Sequence, residues 1–326
     1  MNTVAAGVTQ LRIQRFVNVY FVETGTPGEW VLVDTGVPGS AKTIIAAADQ
    51  LFYPGSHPEA ILLTHGHLDH LGAAIALADH WRVPIVVHPL ELPYLTRQAQ
   101  YPPRDPTVGG SLAFMSRFFP AQLPNLGTRV QALNPADPAA PYLPGWRWLH
   151  VPGHAPGQLA FFREADRTLL GADAFATCHH DSIPAVLLNR PQISRAGTPF
   201  NYDWQAAQQS VQTLADLEPE AIGCGHGPVI TGPAAAAGLR ALADNYPVPA
   251  HGRYVHEPAR TDANGVAHLP PAPKDKLPQQ AAVIGASILV AGVAWFLTGG
   301  RRRKTTRVST KRRPVPAPHN RRGVGD

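Results

Sequence analysis

Short apolar runs separated by turn residues dominate the first half of the chain. Residues 11–22 mix β-branched and aromatic side chains, residues 24–28 supply a turn, and Trp30-Val-Leu-Val33 follows. That is the signature of a hairpin, and its second strand ends on Asp34-Thr-Gly36. Ser40 can cap a helix running to Leu51, with Ile44, Ile45 and Ala48 on one side. An apolar strand at 60–64, a helix at 70–81 and a strand at 84–88 then make a βαβ pattern. Residues 99–145 are dense in Pro and Gly and show no period. A loop that long inside a compact domain is usually functional, as a lid or a substrate wall.

The second half repeats the theme. Strands at 146–151, 158–162 and 168–170 form a β-meander around the turn at 164–167. Asp203 caps a helical run over 204–217, residues 221–224 make a last short strand, and Pro233 opens a helix to Asn245. Each half offers strands followed by helices, which suggests two sheets packed together with helices outside. The domain is expected over residues 1–245, followed by a Pro-rich linker at 246–280.

Composition changes this picture at the C-terminus. Residues 281–297 carry no charge, end in Trp295-Phe296 and are followed by Arg301-Arg-Arg-Lys304. A transmembrane helix over 281–298 is therefore expected, although at ~1.5 Å per residue it is slightly short for a ~30 Å hydrocarbon core. Residues 299–326 read as a basic, disordered tail. The positive-inside rule keeps that tail cytoplasmic, yet Met1 to Gln10 lack the pattern of an export signal. The reading is a cytoplasmic domain on a membrane tether, with its orientation open. Residues 301–326 hold ten Lys and Arg against Asp326, a balance of +9 within a total of +5, so residues 1–300 carry −4. A mildly acidic body argues against a face built for nucleic acid. Cys178 and Cys224 form no disulfide framework.

The chemistry concentrates at residues 64–72, Thr-His-Gly-His-Leu-Asp-His-Leu-Gly. His65, His67, Asp69 and His70 crowd together directly after an apolar strand, and imidazole with carboxylate suits zinc, iron or manganese. Alternate residues of an extended segment point the same way, so His65 and His67 can reach one metal together. The turn at Leu68 swings Asp69 and His70 toward a second position. His154 in a Gly- and Pro-rich loop, Asp173 at a strand end and His226 in Gly223-Cys-Gly-His-Gly-Pro228 are the further candidates. Glycine beside such residues permits close backbone approach.

With these motifs in order over roughly residues 10–245, the chain resembles the metallo-β-lactamase fold superfamily. The resemblance implies an α+β fold, an αββα sandwich of two mixed sheets flanked by helices, here with an apolar C-terminal helix added. It also implies that His65, His67 and His154 bind one metal, that Asp69, His70 and His226 bind a second, and that Asp173 bridges them. Asp34 is expected to hydrogen-bond the ligand loops. Two departures stand out: Gln158 replaces a common second His, and Ala172 separates Gly171 from Asp173. Two divalent ions, zinc first and iron or manganese next, would share a water and lower its pKa toward ~7. The hydroxide so formed would attack a carbonyl or phosphoryl centre, with Asp69 passing a proton to the leaving group. A small-molecule ester, thioester or lactone is the expected substrate, with Tyr94, Tyr101, Phe118 and Phe119 as an apolar wall. A ribonuclease or phosphodiesterase, a mononuclear-iron sulfur dioxygenase and a tethered scaffold with a vestigial site are the alternatives. His179-His180 is a candidate substrate contact. His88 and His150 read as packed or hydrogen-bonded residues.

Overall fold

Antiparallel strands β1 (Asn2–Ala5), β2 (Val8–Ile13), β3 (Val17–Glu23) and β4 (Trp30–Val33) open the fold in the computed structural model, which describes residues 1–275 apart from residue 121. Helix α1 (Ala41–Leu51) returns the chain to β5 (Ile61–Leu62), parallel to β4. Helices α2 (Leu68–Leu71) and α3 (Ala74–Trp81) lead to β6 (Ile85–Val87), and α4 (Leu92–Leu95) and α5 (Ser111–Ser116) lead to β7 (Val130–Ala132). The last three strands are parallel, and the seven-stranded sheet runs in chain order.

The expected meander is β8 (Trp146–His150), β9 (Leu159–Arg163) and β10 (Thr168–Leu170). A ribbon of β11 (Phe175–Ala176) and β12 (Ser194–Arg195) brackets α6 (Ile183–Leu188). Helix α7 (Trp204–Ala215) then brings β13 (Ala221–Gly223) parallel to β10, and β14 (Ile230–Thr231) closes the second sheet. Helix α8 (Pro233–Asp244) and a hairpin of β15 (Arg260–Asp262) and β16 (Gly265–His268) follow.

Side-chain alternation makes the layers. In β3, Val17, Val19 and Phe21 face one way and join Trp30, Leu32, Ile44, Leu77 and Trp81 under α1 and α3. Tyr20 and Val22 face the other way, against Leu159, Phe161 and Leu170 of the second sheet. On the far face of that sheet, Ala160, Phe162 and Ile222 meet Val211, Leu214, Leu239 and Leu242 of α7 and α8. Strands buried on both faces read as continuous apolar runs, and each such side chain stabilises the fold by roughly 1.5–3 kcal/mol. The result is the expected αββα sandwich.

Four expectations differ from what the fold contains. The helix read over 70–81 is broken between α2 and α3, because Gly72 lies against Val37 and Pro38 and donates its N–H to Gly36 O at 2.8 Å. Ser40 flanks α1, yet its hydroxyl donates to Val37 O, and no side-chain cap forms; Asp203 does cap α7, accepting from Ala206 N at 2.9 Å. The aperiodic stretch 99–145 contains α5 and β7. Residues 246–274, read as linker and outside the expected domain of 1–245, belong to the same compact unit as far as Lys274. Tyr246, Tyr254 and Ala259 lie in the core beside α7 and α8, and Tyr254 Oη donates to Pro103 O at 2.6 Å. Pro content alone does not separate a linker from an ordered strap that packs through a few aromatic rings. Among the described residues no helix is long and apolar enough to cross a membrane. The segment at 281–298 and the tail at 299–326 lie outside the described residues.

Candidate metal centre

One edge of the sandwich collects the polar residues that interrupt apolar strands. His65, His67, Asp69 and His70 follow β5, His154 sits in the β8–β9 connection, Asp173 follows β10 and His226 follows β13. All seven residues named from the sequence converge there. His65 Nε2 and His67 Nδ1 are 3.0 Å apart, and the same His67 nitrogen is 3.0 Å from His154 Nε2. Asp173 Oδ2 lies 3.5 Å from His154 Nε2, 3.6 Å from His70 Nε2 and 3.3 Å from His226 Nε2. Asp69 Oδ2 is 3.3 Å from His226 Nε2. Within each of the triads His65–His67–His154, His65–His70–Asp173 and Asp69–His70–His226, the donor atoms fall within 4.8 Å of one another.

The outward ring nitrogens fix the tautomers. His70 Nδ1 donates to Asp34 Oδ2 at 2.7 Å, and His226 Nδ1 to Phe16 O at 2.9 Å. His154 Nδ1 donates to Asn201 Oδ1 at 3.0 Å. The Thr64 hydroxyl gives its proton to Asp34 Oδ2, so its oxygen accepts from His65 Nδ1 at 3.0 Å. A carboxylate and a carbonyl only accept, so these four rings keep a proton on the outward nitrogen and aim Nε2 at the cluster. Asp34 accepts from Thr64 N as well, so it pins both ends of the 64–70 ligand loop to the end of β4.

The donor set fits divalent cations. Facing imidazole lone pairs repel unless something positive lies between them, and one His67 proton could serve only one of its two contacts. His70 Nε2 and Asp173 Oδ1 are buried without any hydrogen-bond partner, which is expensive unless they have a ligand. Burial, reinforced by neighbouring His154, lowers His67 to about 3, so it presents the neutral imidazole that metals bind. Burial opposes the charge of Asp173, but His226 and His70 outweigh it and hold the carboxyl well below its usual range. Gly225 closes the floor: a Cβ there would stand 2.0 Å from Asp173 Oδ1 and 2.6 Å from His70 Cε1. Ala172, the extra residue before Asp173, adopts a left-handed φ of 50°, a conformation that L-residues rarely take.

A family model for the metallo-beta-lactamase superfamily matches residues 12–226. The chain belongs to the metallo-β-lactamase superfamily. Its sequence is 39% identical over 242 residues to a probable metallo-hydrolase of Bacillus subtilis, YflN, covering 74% of this chain and 91% of the relative. A more distant relative, the hydroxyacylglutathione hydrolase GloC of Haemophilus influenzae, is 28% identical over 142 residues, 44% of this chain and 59% of its own. A metallo-β-lactamase from Cronobacter sakazakii shares the fold with a TM-score of 0.51 at 16% identity, covering 75% of this chain and 91% of that one. The protein is thus a metallo-hydrolase of the superfamily with a His/Asp metal-binding cluster.

Around this metallo-β-lactamase centre stand residues that pattern reading missed. Glu91 is fully buried and accepts from Gly66 N at 2.9 Å and Gly157 N at 2.7 Å, with Tyr101 Oη donating to it as well. It clamps the loop of His65 and His67 to the loop of His154. The available signal was a lone carboxylate between Leu90 and Leu92. Asn201 and Phe200 carried no signal. The Phe200 ring centre lies 5.2 Å from that of His67 and 5.9 Å from that of His154. Of the expected aromatic wall, Tyr101 lies 5.3 Å from His67 and Phe119 stacks on Phe200 at 6.3 Å. Tyr94 is buried, stacked on Tyr101, and Phe118 is 69% exposed, so neither faces the metal cluster directly. His88 and His150 stack on each other at 4.4 Å, a packing role.

Proposed function

We propose that this chain is a dinuclear hydrolase of a small ester, thioester or lactone. His65, His67 and His154 hold one ion in this reading, Asp69, His70 and His226 hold the other, and Asp173 lies between. The observation that carries it is the convergence of three donor triads around a single carboxylate oxygen. Zinc is the first choice on the imidazole-rich His65 side, with iron or manganese next. Two divalent ions held there would supply Lewis acidity and would lower the pKa of a water toward neutral pH.

The chain's own residues do the rest. Asp69 has a side chain 27% exposed, against 3% for Asp173, so it can exchange a proton with solvent and pass it to a leaving group. Tyr101, Phe119 and Phe200 border the His67 and His154 side and offer apolar surface to an acyl or lactone ring. Likeness to a hydroxyacylglutathione hydrolase supports acyl-group hydrolysis. The −4 balance of residues 1–300 disfavours a phosphodiester polymer.

The test is a panel of esters, thioesters, lactones and phosphodiesters with metal-loaded protein. Turnover is expected on the acyl substrates, and on His67→Ala it should fall to background while the metal-free melting temperature stays within a few degrees. Turnover confined to phosphodiesters, or undiminished in His67→Ala, would overturn the reading.

A further inference from the structure

His180 lies beyond the seven residues assigned above, and its surroundings are unusual for a packed histidine. It is 3% exposed, its ring centre is 4.0 Å from that of His226, and its Nδ1 has no hydrogen-bond partner. A buried core imidazole ordinarily finds a partner for each ring nitrogen. Around the ring stand a metal-facing imidazole, the central carboxylate and Gly197, where a Cβ would lie 3.6 Å from that Nδ1. His180, Asp173 and His226 each offer a donor atom within 4.8 Å of the others.

The backbone holds that position firmly. Thr177 donates its N–H and its hydroxyl to His226 O at 3.0 and 3.1 Å, tying the strand before His180 to the His226 loop. His180 N donates to Ser194 Oγ at 3.3 Å, and Ser194 Oγ donates to Cys178 O at 2.7 Å. The next residue, Asp181, accepts from Thr198 N at 2.9 Å and from Arg195 Nη2 at 3.0 Å. At Gly197 a Cβ would come within 3.5 Å of the His180 ring. The neighbouring His179 is exposed.

We propose that His180 is an additional imidazole ligand to the ion on the His226 side, and that this ion is a first-row divalent cation accepting more than four protein donors. The inference rests on the dinuclear reading above. Asp69, His70, His226 and Asp173 already surround that position, and a fifth donor exceeds the tetrahedral set that zinc favours in closed sites. Mixed imidazole and carboxylate sets of five or six suit iron or manganese.

The experiment titrates the metal-stripped full-length chain with Co²⁺, following absorbance and binding by chelator competition. Wild type is expected to take two Co²⁺. In His180→Ala and His180→Gln the first should bind as before and the second at least about tenfold more weakly. The absorption of the second ion should intensify as its coordination number falls. His179→Ala should change neither constant nor spectrum. If the alanine variant does not fold, as judged by circular dichroism, the glutamine variant decides. Unchanged affinity and spectrum in a folded His180 variant would overturn the assignment. So would an unchanged spectrum with a raised KM, which would make His180 a substrate contact. Uptake of fewer than two Co²⁺ by wild type would overturn the dinuclear reading itself.

Discussion

Asp34 shows how one side chain outside the metal cluster governs several inside it. Its two oxygens receive the Thr64 N–H, the Thr64 hydroxyl and His70 Nδ1. Asp34→Asn exchanges one acceptor for a donor and is expected to weaken metal binding by about 10–100-fold, checked by chelator competition. Glu91 works on the same scale. Burial raises its pKa to about 7 from 4.5, against the lowering effect of Tyr101, Gly157 and Gly66. The folded state therefore binds that proton more tightly than the unfolded chain. Its contribution to stability is fully present below about 4.5 and is lost as pH rises to about 7. The span corresponds to about 3 kcal/mol. Denaturant unfolding of metal-stripped protein should show this slope in wild type and lack it in Glu91→Gln. A wild-type-minus-variant difference that stays constant with pH would refute it.

Among the elements, the division of one expected helix into α2 and α3 carries the most chemistry. Apolar periodicity fits a single helix because Leu71, Ala74, Leu77 and Ala78 all join the outer core. Gly72 breaks it by permitting contact with the backbone of Val37 and Pro38; a Cβ there would sit 2.2 Å from Pro38 N. That contact, with Thr35 N donating to His70 O at 2.7 Å, presses α2 and its Asp69 and His70 against the loop after β4. Gly72→Ala is expected to displace α2 and to lower occupancy of the second metal from one to near zero. The first ion should stay, and metal counting on purified protein checks both.

For the whole molecule, the strap after α8 is a continuation of the core. Ala259 N donates to Tyr202 O at 3.1 Å, and Arg253 Nε to Pro270 O at 2.8 Å. The strap therefore holds the segment containing Phe200 and Asn201 against the long 99–145 stretch, whose Asp105 N donates to Pro199 O at 2.7 Å. A chain ending at 274 keeps every strap contact named here. A chain ending at 245 loses the buried rings of Tyr246 and Tyr254, a loss of about 2–5 kcal/mol, and should melt several degrees lower. Equal melting of the two truncated forms would show that the strap does not stabilise the domain.

The amino-acid order alone determined the apolar runs, their turns and the spacing of His65, His67, Asp69 and His70, since period and residue type are local properties. It also marked His154, Asp173 and His226 as polar interruptions at strand ends. Only the folded chain decided that Glu91 joins two distant loops, that His180 faces His226, that Phe200 borders the cluster and that residues 246–274 pack. Those facts arise from contacts between residues far apart in the chain. A buried carboxylate or a lone ring looks the same in a sequence whether or not a partner awaits it across the sandwich.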